Sequence, residues 1–486
     1  LEECQSDAHT SCPPNSYPEL PRRVLDIGGD NDSLIKIHEN LGAEMGRYVA
    51  LSCCWGPDAS KWLMIRKATL DEHISLGLPS KLPKTLEDAV TVCRKLEIRF
   101  LWVDALCILQ DDPTDIFEQI SAMGSIYKNS TLTIAAAGSS AVSDGFLANQ
   151  KPIKPLASLP FYTGAESPPG TIFVRGRQPI NGTVEPWFSR GWTLQELILS
   201  PRVILFDSYQ IAIKCQAINF KPVMPIWLKT DYGEFDVRNA LFDVYNNTGN
   251  PSESKLRELQ SNLWQGLVME YSKRNLSYMK DRLPALAGIA SELRNIWKDE
   301  YIAGFWKRTL IFDLLWYRPK DAVHTVNSNS CSPTWSWSTV PYPVSFFDGV
   351  TFYAEILDSE IQLVSTSTPF GQVQNGTICI EARLLEKPLP CIHEYFWDFP
   401  ETKPEPSSVS LLYISKLAVE GKHNTQLLFS NSDIRKAVSN SYRHCFLAIE
   451  KSKEERYRRV GCATINNGRG ITEELLLIPT KIIVIE

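Results

Sequence analysis

The sequence predicts an α/β fold with a mostly parallel sheet in its first half, followed by a helical segment and a β-rich C-terminal domain. Three patterns predict it: alternating strand-like and helix-like runs over 47–215, helical spacing of apolar residues over 252–298, and apolar runs separated by loops after residue 331. Strands that alternate with helices form parallel sheets, because each connection must cross back over the sheet. The expected divisions are an irregular lead-in over 1–45, an α/β domain over 46–218, a helical region over 219–330 and a β-rich domain over 331–486.

The elements of the α/β domain follow in chain order from local patterns. Arg47–Ser52 is a short apolar run of the kind that forms a buried strand. Thr85 and Asp88 make a helix-start pattern, and the apolar residues that follow share one face of a helix. The remaining signals predict strands over 100–104, 131–136, 171–174, 202–207 and 211–215, and helices around 116–127 and 191–199.

The second half changes from helical to strand-like patterning. Apolar residues recur at helical spacing from Leu256 to Val268 and from Leu283 to Leu293, and Pro284 argues against one unbroken helix. Strand-like runs follow at 350–357, 376–384, 409–415, 444–450 and 474–485. We therefore expect an antiparallel sheet or sandwich there.

The composition is that of a globular protein. The chain has 486 residues, 43% of them apolar and 22% charged, which is enough to bury a sizeable core. Its 50 basic and 56 acidic residues leave a formal charge of −6, so no overall field attracts nucleic acid. No apolar run reaches the roughly 18–20 residues of a membrane span. We expect a cytoplasmic protein with no nucleic-acid partner and no membrane span.

The sequence contains none of the common nucleotide-binding or metal-binding motifs. It has no GxGxxG, GxxxxGK[ST], HExxH, GxSxG or paired CxxC pattern. Its 7 histidines are scattered without the spacing of metal ligands, and its 12 cysteines are interpreted mostly as reduced, buried thiols of an intracellular protein. We therefore expect no metal site and no bound cofactor.

Four sequence blocks together resemble the fungal heterokaryon incompatibility (HET) domain, in order and in spacing, over roughly residues 46–216. The four blocks are Tyr48–Gly56, Leu82–Ala89, Leu101–Asp112 and Arg190–Glu196. Shorter matching segments are Ile126–Tyr127, Leu132–Ala136 and Gly145–Leu147 within the domain and, downstream of it, Asp281–Ala290, Ile302–Trp306 and Ser332–Ser338. In one departure, Cys53 stands where the family usually has an aromatic residue or a histidine.

The resemblance implies a role in fungal nonself recognition and programmed cell death. The HET domain also resembles TIR domains, some of which hydrolyse NAD⁺, and this implies a TIR-like, flavodoxin-like sheet. Tyr48–Ser52 resembles the first TIR strand, and Ser189–Leu197 resembles the helix that carries the TIR catalytic glutamate in a Trp-x-x-x-Glu pattern. Glu196 is the matching glutamate in this chain.

Glu196 is the first candidate catalytic residue. It follows Trp192 by four residues, so both side chains share one face of a helix. An indole that excludes water from a carboxyl raises its pKa from about 4.3, which favours a proton donor. The same carboxylate is equally suited to hold a ribose hydroxyl while nicotinamide leaves. Arg190 and Trp192 are then substrate-binding residues; the structural alternative is an ion pair between Glu196 and Arg190 or a loop cap, with Trp192 in the core.

Further candidates follow the predicted strands, where ligands collect in open α/β sheets. Asp104 is suited either to orient a substrate hydroxyl or to cap a helix. The candidates after the first strand are Ser52, Cys54, Trp55 and Gly56. Gly56 allows a sharp turn whose N–H groups face a phosphate, and Trp55 either stacks on a base or fills the core. Cys54 is a nucleophile or, in the favoured interpretation, a buried thiol.

Three functions remain open. The first is a HET-domain protein of nonself recognition and cell death that cleaves NAD⁺ through Glu196 and Asp104. The second is a non-catalytic module that signals by assembling with copies of itself or with another incompatibility protein. The third is an enzyme of small-molecule biosynthesis on the same scaffold, which a deep apolar pocket near Trp55 and Trp192 would favour.

Overall fold

The computed structural model divides the chain into two compact units, Leu1–Arg238 and Asn239–Glu486. The residues that the structure describes are 4, 12–13, 17–28, 34–57, 62–148, 157–161, 170–174, 185–209, 211–215, 229–230, 233–234, 252–324, 332–347, 351–387, 392, 394–418, 442–452, 456–467 and 470–486.

The N-terminal unit contains both helices and strands. Its described strands are β1 (Arg23–Asp26), β2 (Lys36–Glu39), β3 (Tyr48–Ser52), β4 (Phe100–Trp102), β5 (Leu132–Ala135), β6 (Ala157–Phe161), β7 (Gly170–Val174), β8 (Arg202–Phe206), β9 (Ile211–Cys215), β10 (Lys229–Thr230) and β11 (Gly233–Glu234). Its described α-helices are α1 (Lys67–Ser75), α2 (Lys84–Lys95), α3 (Asp104–Cys107), α4 (Pro113–Asn129) and α5 (Thr193–Leu199).

A seven-stranded sheet organises this unit, in the order β2-β1-β4-β3-β5-β8-β9. The four strands β4, β3, β5 and β8 run parallel, with Tyr48 opposite Phe100 and Ser52 opposite Ala135. Strands β1 and β2 at one edge and β9 at the other are antiparallel to their neighbours. The predicted parallel sheet is thus confirmed for the middle of the sheet, and antiparallel strands complete it on both sides.

The first 45 residues differ from the irregular segment that the sequence predicts, because they contain β1 and β2. A buried charge anchors β1: the Arg23 side chain is 0% exposed and pairs with Asp115. Arg23 Nε also donates to the Cys107 carbonyl at 2.9 Å. Only Val24 and Leu25 of β1 are apolar, between two charged residues, and so short a run does not predict a strand.

One carboxylate fixes α2 to a later loop. Asp88, 2% exposed, accepts hydrogen bonds from the amides of Phe146 at 2.7 Å and Leu147 at 3.0 Å. Lys84 Nζ lies 2.8 Å from the other oxygen of that carboxylate. Gly145 has φ +71°, and a Cβ there would meet Asp88 Oδ2 at 2.8 Å, so the turn requires glycine. The family-like blocks around Asp88 and Gly145 therefore fold as one unit.

The C-terminal unit is β-rich, as predicted. Its described strands are β12 (Tyr301–Ile302), β13 (Phe305–Trp306), β14 (Trp316–Tyr317), β15 (Ser345–Phe346), β16 (Thr351–Phe352), β17 (Glu355–Leu363), β18 (Val373–Leu385), β19 (Glu394–Trp397), β20 (Ser410–Ala418), β21 (Tyr442–Lys451), β22 (Arg456–Asn467) and β23 (Thr480–Ile485). Its described α-helices are α6 (Glu253–Ser272), α7 (Pro284–Trp297), α8 (Leu310–Asp313) and α9 (Gly470–Leu476). Pro284 begins a second helix, which confirms the predicted break.

The main sheet of this unit has the strand order β16-β20-β21-β22-β23-β18-β17, with β19 added on β22. Strand β18 also pairs with β20, so β18, β20, β21, β22 and β23 close into a ring. The pairing of β22 with β23 is parallel, unlike the antiparallel pairing that the sequence predicts. In the part of the chain that the structure describes, no helix is both long and apolar enough to cross a membrane.

Two of the downstream family-like segments meet in this unit. The indole nitrogens of Trp264 and Trp337 both donate to the Gly304 carbonyl, each at 2.8 Å. Gly304 has φ +98°, and a Cβ there would lie 2.7 Å from Trp337 Nε1. Segments Ile302–Trp306 and Ser332–Ser338 are therefore parts of one core.

The contacts of Asp88 make a stability prediction. Asp88→Ala leaves two amides of the 146–147 loop without their acceptor, so we expect the free energy of unfolding of the N-terminal unit to fall by about 2–4 kcal/mol. Chemical denaturation followed by tryptophan fluorescence measures the change. Glu87→Gln, one position earlier and in a partly exposed ion pair with Lys84, is the control and should cost less than about 0.5 kcal/mol. Equal losses in both variants would contradict this role of Asp88.

Candidate functional site

The candidate site lies where the parallel strands end. Ser52 is the last residue of β3, and Asp104 follows the end of β4 by two residues. Glu196 lies on α5, the helix that leads into β8, and reaches Ser52 across 144 residues of sequence. In open α/β sheets, ligands bind in the crevice outside the carboxyl ends of the strands. The fold thus brings three of the predicted residues to the edge of the sheet where a ligand is expected.

A buried chain of hydrogen bonds forms the inner part of the site. The Trp187 indole N–H donates to Ser52 Oγ, and the Ser52 hydroxyl donates to the Glu196 carboxyl. The exposed fractions of Trp187, Ser52 and Glu196 are 0%, 1% and 6%. Trp187 lies in a 3-10 turn, Pro186–Ser189, and its ring meets that of Phe188 edge to face at 4.9 Å. This packing fixes the direction in which the Glu196 carboxyl points.

An outer pair of side chains is half-buried. Trp55 donates its indole N–H to Asp104, at 3.1 Å from Oδ1 and 3.3 Å from Oδ2. Asp104 Oδ1 also accepts from the Ala105 amide at 2.8 Å, at the start of α3. Asp104 is the first residue of α3, whose N-cap is Val103, so its carboxylate does not cap the helix but orients Trp55.

Arg190 acts on both carboxyls of the site. Burial raises the pKa of Asp104 and of Glu196, and the positive charge of Arg190 opposes this rise at each. The Arg190 guanidinium also donates to the Cys53 carbonyl, which anchors it beside the end of β3. The charge of Arg190 thus acts on Glu196, the residue with which the structural alternative pairs it, and on Asp104 as well.

Glu196 titrates near neutral pH in this environment. Burial raises its pKa to about 7, while the charge of Arg190 and hydrogen bonds from Ser52 and Tyr127 work in the opposite direction. A carboxyl with a pKa near 7 is present in both protonation states at neutral pH, which suits acid–base or electrostatic catalysis. The direction of this shift is the one expected from the sequence, and its cause is burial.

The two cysteines after β3 are buried thiols. Burial raises the pKa of Cys53 and of Cys54, so both stay protonated at neutral pH although Arg190 is close. Cys54 packs in an apolar cluster with Trp187 and Leu197. A nucleophilic cysteine needs a lowered pKa, so the buried-thiol interpretation of Cys54 is the one that the structure favours. At Cys53, the contact with Arg190 is made by the backbone carbonyl, which any side chain would preserve.

Gly56 and Trp192 complete the predicted set. Gly56 has φ +82°, and a Cβ there would lie 2.6 Å from Ala141 Cβ, so this turn requires glycine. Trp192 is half-buried and stands at the N-terminal end of α5. The indole that is hydrogen-bonded to the Ser52–Glu196 pair belongs to Trp187, which sequence analysis does not single out. Its four-residue 3-10 turn is too short to produce a periodic pattern.

Three cysteines form a second cluster that the sequence does not predict. The Sγ atoms of Cys4, Cys12 and Cys215 all lie within 4.8 Å of one another. Cys4 and Cys12 precede β1, whereas Cys215 is the last residue of β9. Thiolates in such a group are ligands for a thiophilic metal. The prediction of no metal site rests on the spacing of residues that are close in sequence. Such spacing cannot show that Cys215 lies beside Cys4 and Cys12.

The raised pKa of Glu196 makes stability depend on pH. The folded protein retains this proton up to about pH 7, whereas the unfolded chain loses it near pH 4.3, so stability falls as pH rises through this window. Glu196→Gln removes the titration, and its stability relative to wild type should rise by about 3 kcal/mol between roughly pH 5 and 8. Denaturation curves across that range test this, with exposed Glu118→Gln as control. A difference in stability between Glu196→Gln and wild type that does not change with pH would contradict the raised pKa of Glu196.

Comparison with known proteins identifies the region that holds this site. Residues 48–196 match the family model described as heterokaryon incompatibility protein (HET). Comparison with curated proteins found no match, and comparison with solved structures found none. The matched region begins at the first residue of β3 and ends at Glu196, so it includes both ends of the Ser52–Glu196 contact. The chain therefore carries a HET domain over residues 48–196, which relates its function to heterokaryon incompatibility.

Proposed function

We propose that the HET domain of this chain is an NAD⁺ glycohydrolase that acts in the fungal cytoplasm in nonself recognition and programmed cell death. The observation that carries the proposal is the Glu196 carboxyl, which Ser52 holds at the carboxyl end of β3 with a pKa near 7. Asp104, Trp55 and Arg190 surround it with a second carboxyl, an aromatic ring and a cation. These are the groups needed to hold a ribose, a nicotinamide or adenine ring, and a diphosphate.

The sheet supports a TIR-like, flavodoxin-like arrangement. Numbered by their order in the chain, the four parallel strands β3, β4, β5 and β8 lie in the spatial order second, first, third, fourth. Flavodoxin-like sheets have this order, and they bind ligands at the switch point between the first and third strands. Ser52 and Ala135, the last residues of those two strands, pair across this point. The proposed substrate site is therefore where such a fold places a nucleotide.

The chemistry favours the ionised form of Glu196. In NAD⁺ hydrolysis the bond between ribose C1′ and the nicotinamide nitrogen breaks, and nicotinamide leaves with the electron pair as a neutral molecule. Water then adds to C1′ and releases a proton, which yields ADP-ribose. The leaving group needs no proton, whereas the ribose ring develops positive charge that a carboxylate stabilises. Glu196 is therefore proposed as the stabilising carboxylate, with Asp104 on a ribose hydroxyl and Trp55 stacked on a ring.

A non-catalytic signalling module is the second candidate, and the burial of Glu196 favours it. Ser52 and Glu196 are 1% and 6% exposed, so substrate reaches them only after neighbouring side chains move. A buried carboxyl with satisfied hydrogen bonds is also a common structural feature. In this alternative the domain acts by assembling with copies of itself or with another incompatibility protein, and Glu196 only holds β3 against α5.

The first test is the release of nicotinamide from NAD⁺ by the purified chain, at low and at high protein concentration. We expect turnover in wild type and a loss of about 10²–10³-fold in Glu196→Gln, since this removes the charge and keeps the shape. Glu118→Gln, on the exposed side of α4, is the matched control and should retain full activity. The absence of turnover at both concentrations, or equal turnover in Glu196→Gln, would overturn the proposal and favour the signalling module.

The pH dependence of the same reaction tests the role of the carboxylate. Because the ionised form is the active one, the rate should rise as pH increases through about 7. The Ser52 hydrogen bond lowers the pKa of Glu196, so Ser52→Ala should move the midpoint of the rate profile to higher pH. Ser121→Ala, on the exposed face of α4, should leave the midpoint unchanged. A rate that falls through pH 7 would instead identify Glu196 as a proton donor.

A further inference from the structure

The cysteine cluster lies beside the first residue of β8, whereas Glu196 lies at the carboxyl end of β3. Cys12 and Cys215 are 8% and 2% exposed, and Cys4 is half-buried. The three Sγ atoms lie within 4.8 Å of one another. Sulfur atoms bound to one zinc ion at 2.3 Å in tetrahedral geometry are about 3.8 Å apart. The thiols are therefore within about 1 Å of the separation that a shared zinc ion imposes.

A buried arginine completes the surroundings of these thiols. Arg202, 3% exposed, is the first residue of β8 and the register partner of Cys215. Its Nε donates to Cys4 Sγ at 3.1 Å, and its other nitrogens donate to the backbone carbonyls of Pro13 and Thr131. The guanidinium is thus held in place at the cluster by both the N-terminal segment and the sheet.

We propose that Cys4, Cys12 and Cys215 bind one zinc ion, which ties the N-terminal segment to the β8–β9 pair of the sheet. Binding releases the thiol protons, because zinc coordinates thiolates. Three thiolates and Zn²⁺ carry a net charge of −1, and the Arg202 guanidinium brings this buried group to neutrality. Charge balance of this kind is what makes a buried ionic group tolerable. The cluster thus has the ligand chemistry, the separation and the counter-charge of a structural zinc site.

The alternative to zinc binding is a disulfide between two of these three cysteines. The described cysteines are thiols and not disulfides, and a disulfide between two of the three would leave the third in the cluster without a role. Zinc uses all three. Structural zinc sites have four ligands, so one further donor completes the coordination by these three thiolates.

The test is the metal content of the full chain, purified without chelators and analysed by mass spectrometry for zinc, copper and iron. We expect about one zinc ion per chain in wild type and a loss of roughly tenfold or more in Cys4→Ser and Cys215→Ser. Cys93→Ser, a buried thiol on α2, is the matched control and should keep the zinc. The zinc content does not depend on NAD⁺ cleavage, so a failure of the zinc proposal can be distinguished from a failure of the proposed function.

A second measurement uses the wild-type protein, so it tests the proposal even if the cysteine variants fail to fold. Cobalt exchanged into wild-type protein should give the intense thiolate-to-cobalt charge-transfer absorption and the strong visible bands of tetrahedral coordination. Wild type without zinc and without these bands would overturn the proposal. So would zinc retained fully by the folded Cys4→Ser and Cys215→Ser variants, another metal at the same stoichiometry, or an intact mass lower by two hydrogens that marks a disulfide.

Discussion

The geometry of the HET domain depends on one buried carboxyl at the end of a central strand. Glu196 reaches the last residue of β3 and joins α5 to the middle of the parallel sheet through the Ser52 hydroxyl. Burying an ionised carboxylate is costly unless partners compensate it. Ser52, Tyr127 and Arg190 compensate in part, and burial still raises the pKa to about 7. The domain therefore contains a buried carboxyl whose charge changes near neutral pH.

The position of Arg190 explains how the site holds two acidic groups together. Asp104 and Glu196 both have raised pKa values because of burial, and the same guanidinium moderates both. One cation cannot neutralise two carboxylates, so the site has a net negative charge when both are ionised. The positive charge that develops on the ribose of a substrate in the transition state would be stabilised by this negative charge, and such stabilisation accelerates a reaction. This links the structural role of Glu196 with the proposed catalytic one.

The blocks that match the family contain the residues of the candidate site, and local periodicity predicts the strands that carry them. Glu196, Asp104, Arg190 and Ser52 could be found in this way because each lies in a block with its own pattern. Trp187 could not be found, because its burial comes from a short 3-10 turn and from packing against Phe188. The four-residue strands β1 and β2 are not predicted for a similar reason, since long-range contacts such as the pairing of Arg23 with Asp115 hold them in place. A contact between residues that are far apart in the chain produces no periodic pattern in the sequence from which it could be predicted.

The cysteine cluster and the Glu196 site are structurally connected, although Glu196 contacts the last residue of β3 and the cluster lies at the first residue of β8. Ser200 Oγ donates to the Glu196 carbonyl at 2.6 Å and lies 2.6 Å from Thr133 Oγ1 of β5. Two residues later, Arg202 begins β8 and contacts Cys4. A metal ion that holds Cys215 near Arg202 would therefore fix the strand into which α5 leads. Loss of that ion would loosen the support of Glu196 without removing any group that touches substrate, so the two proposals concern different atoms of one framework.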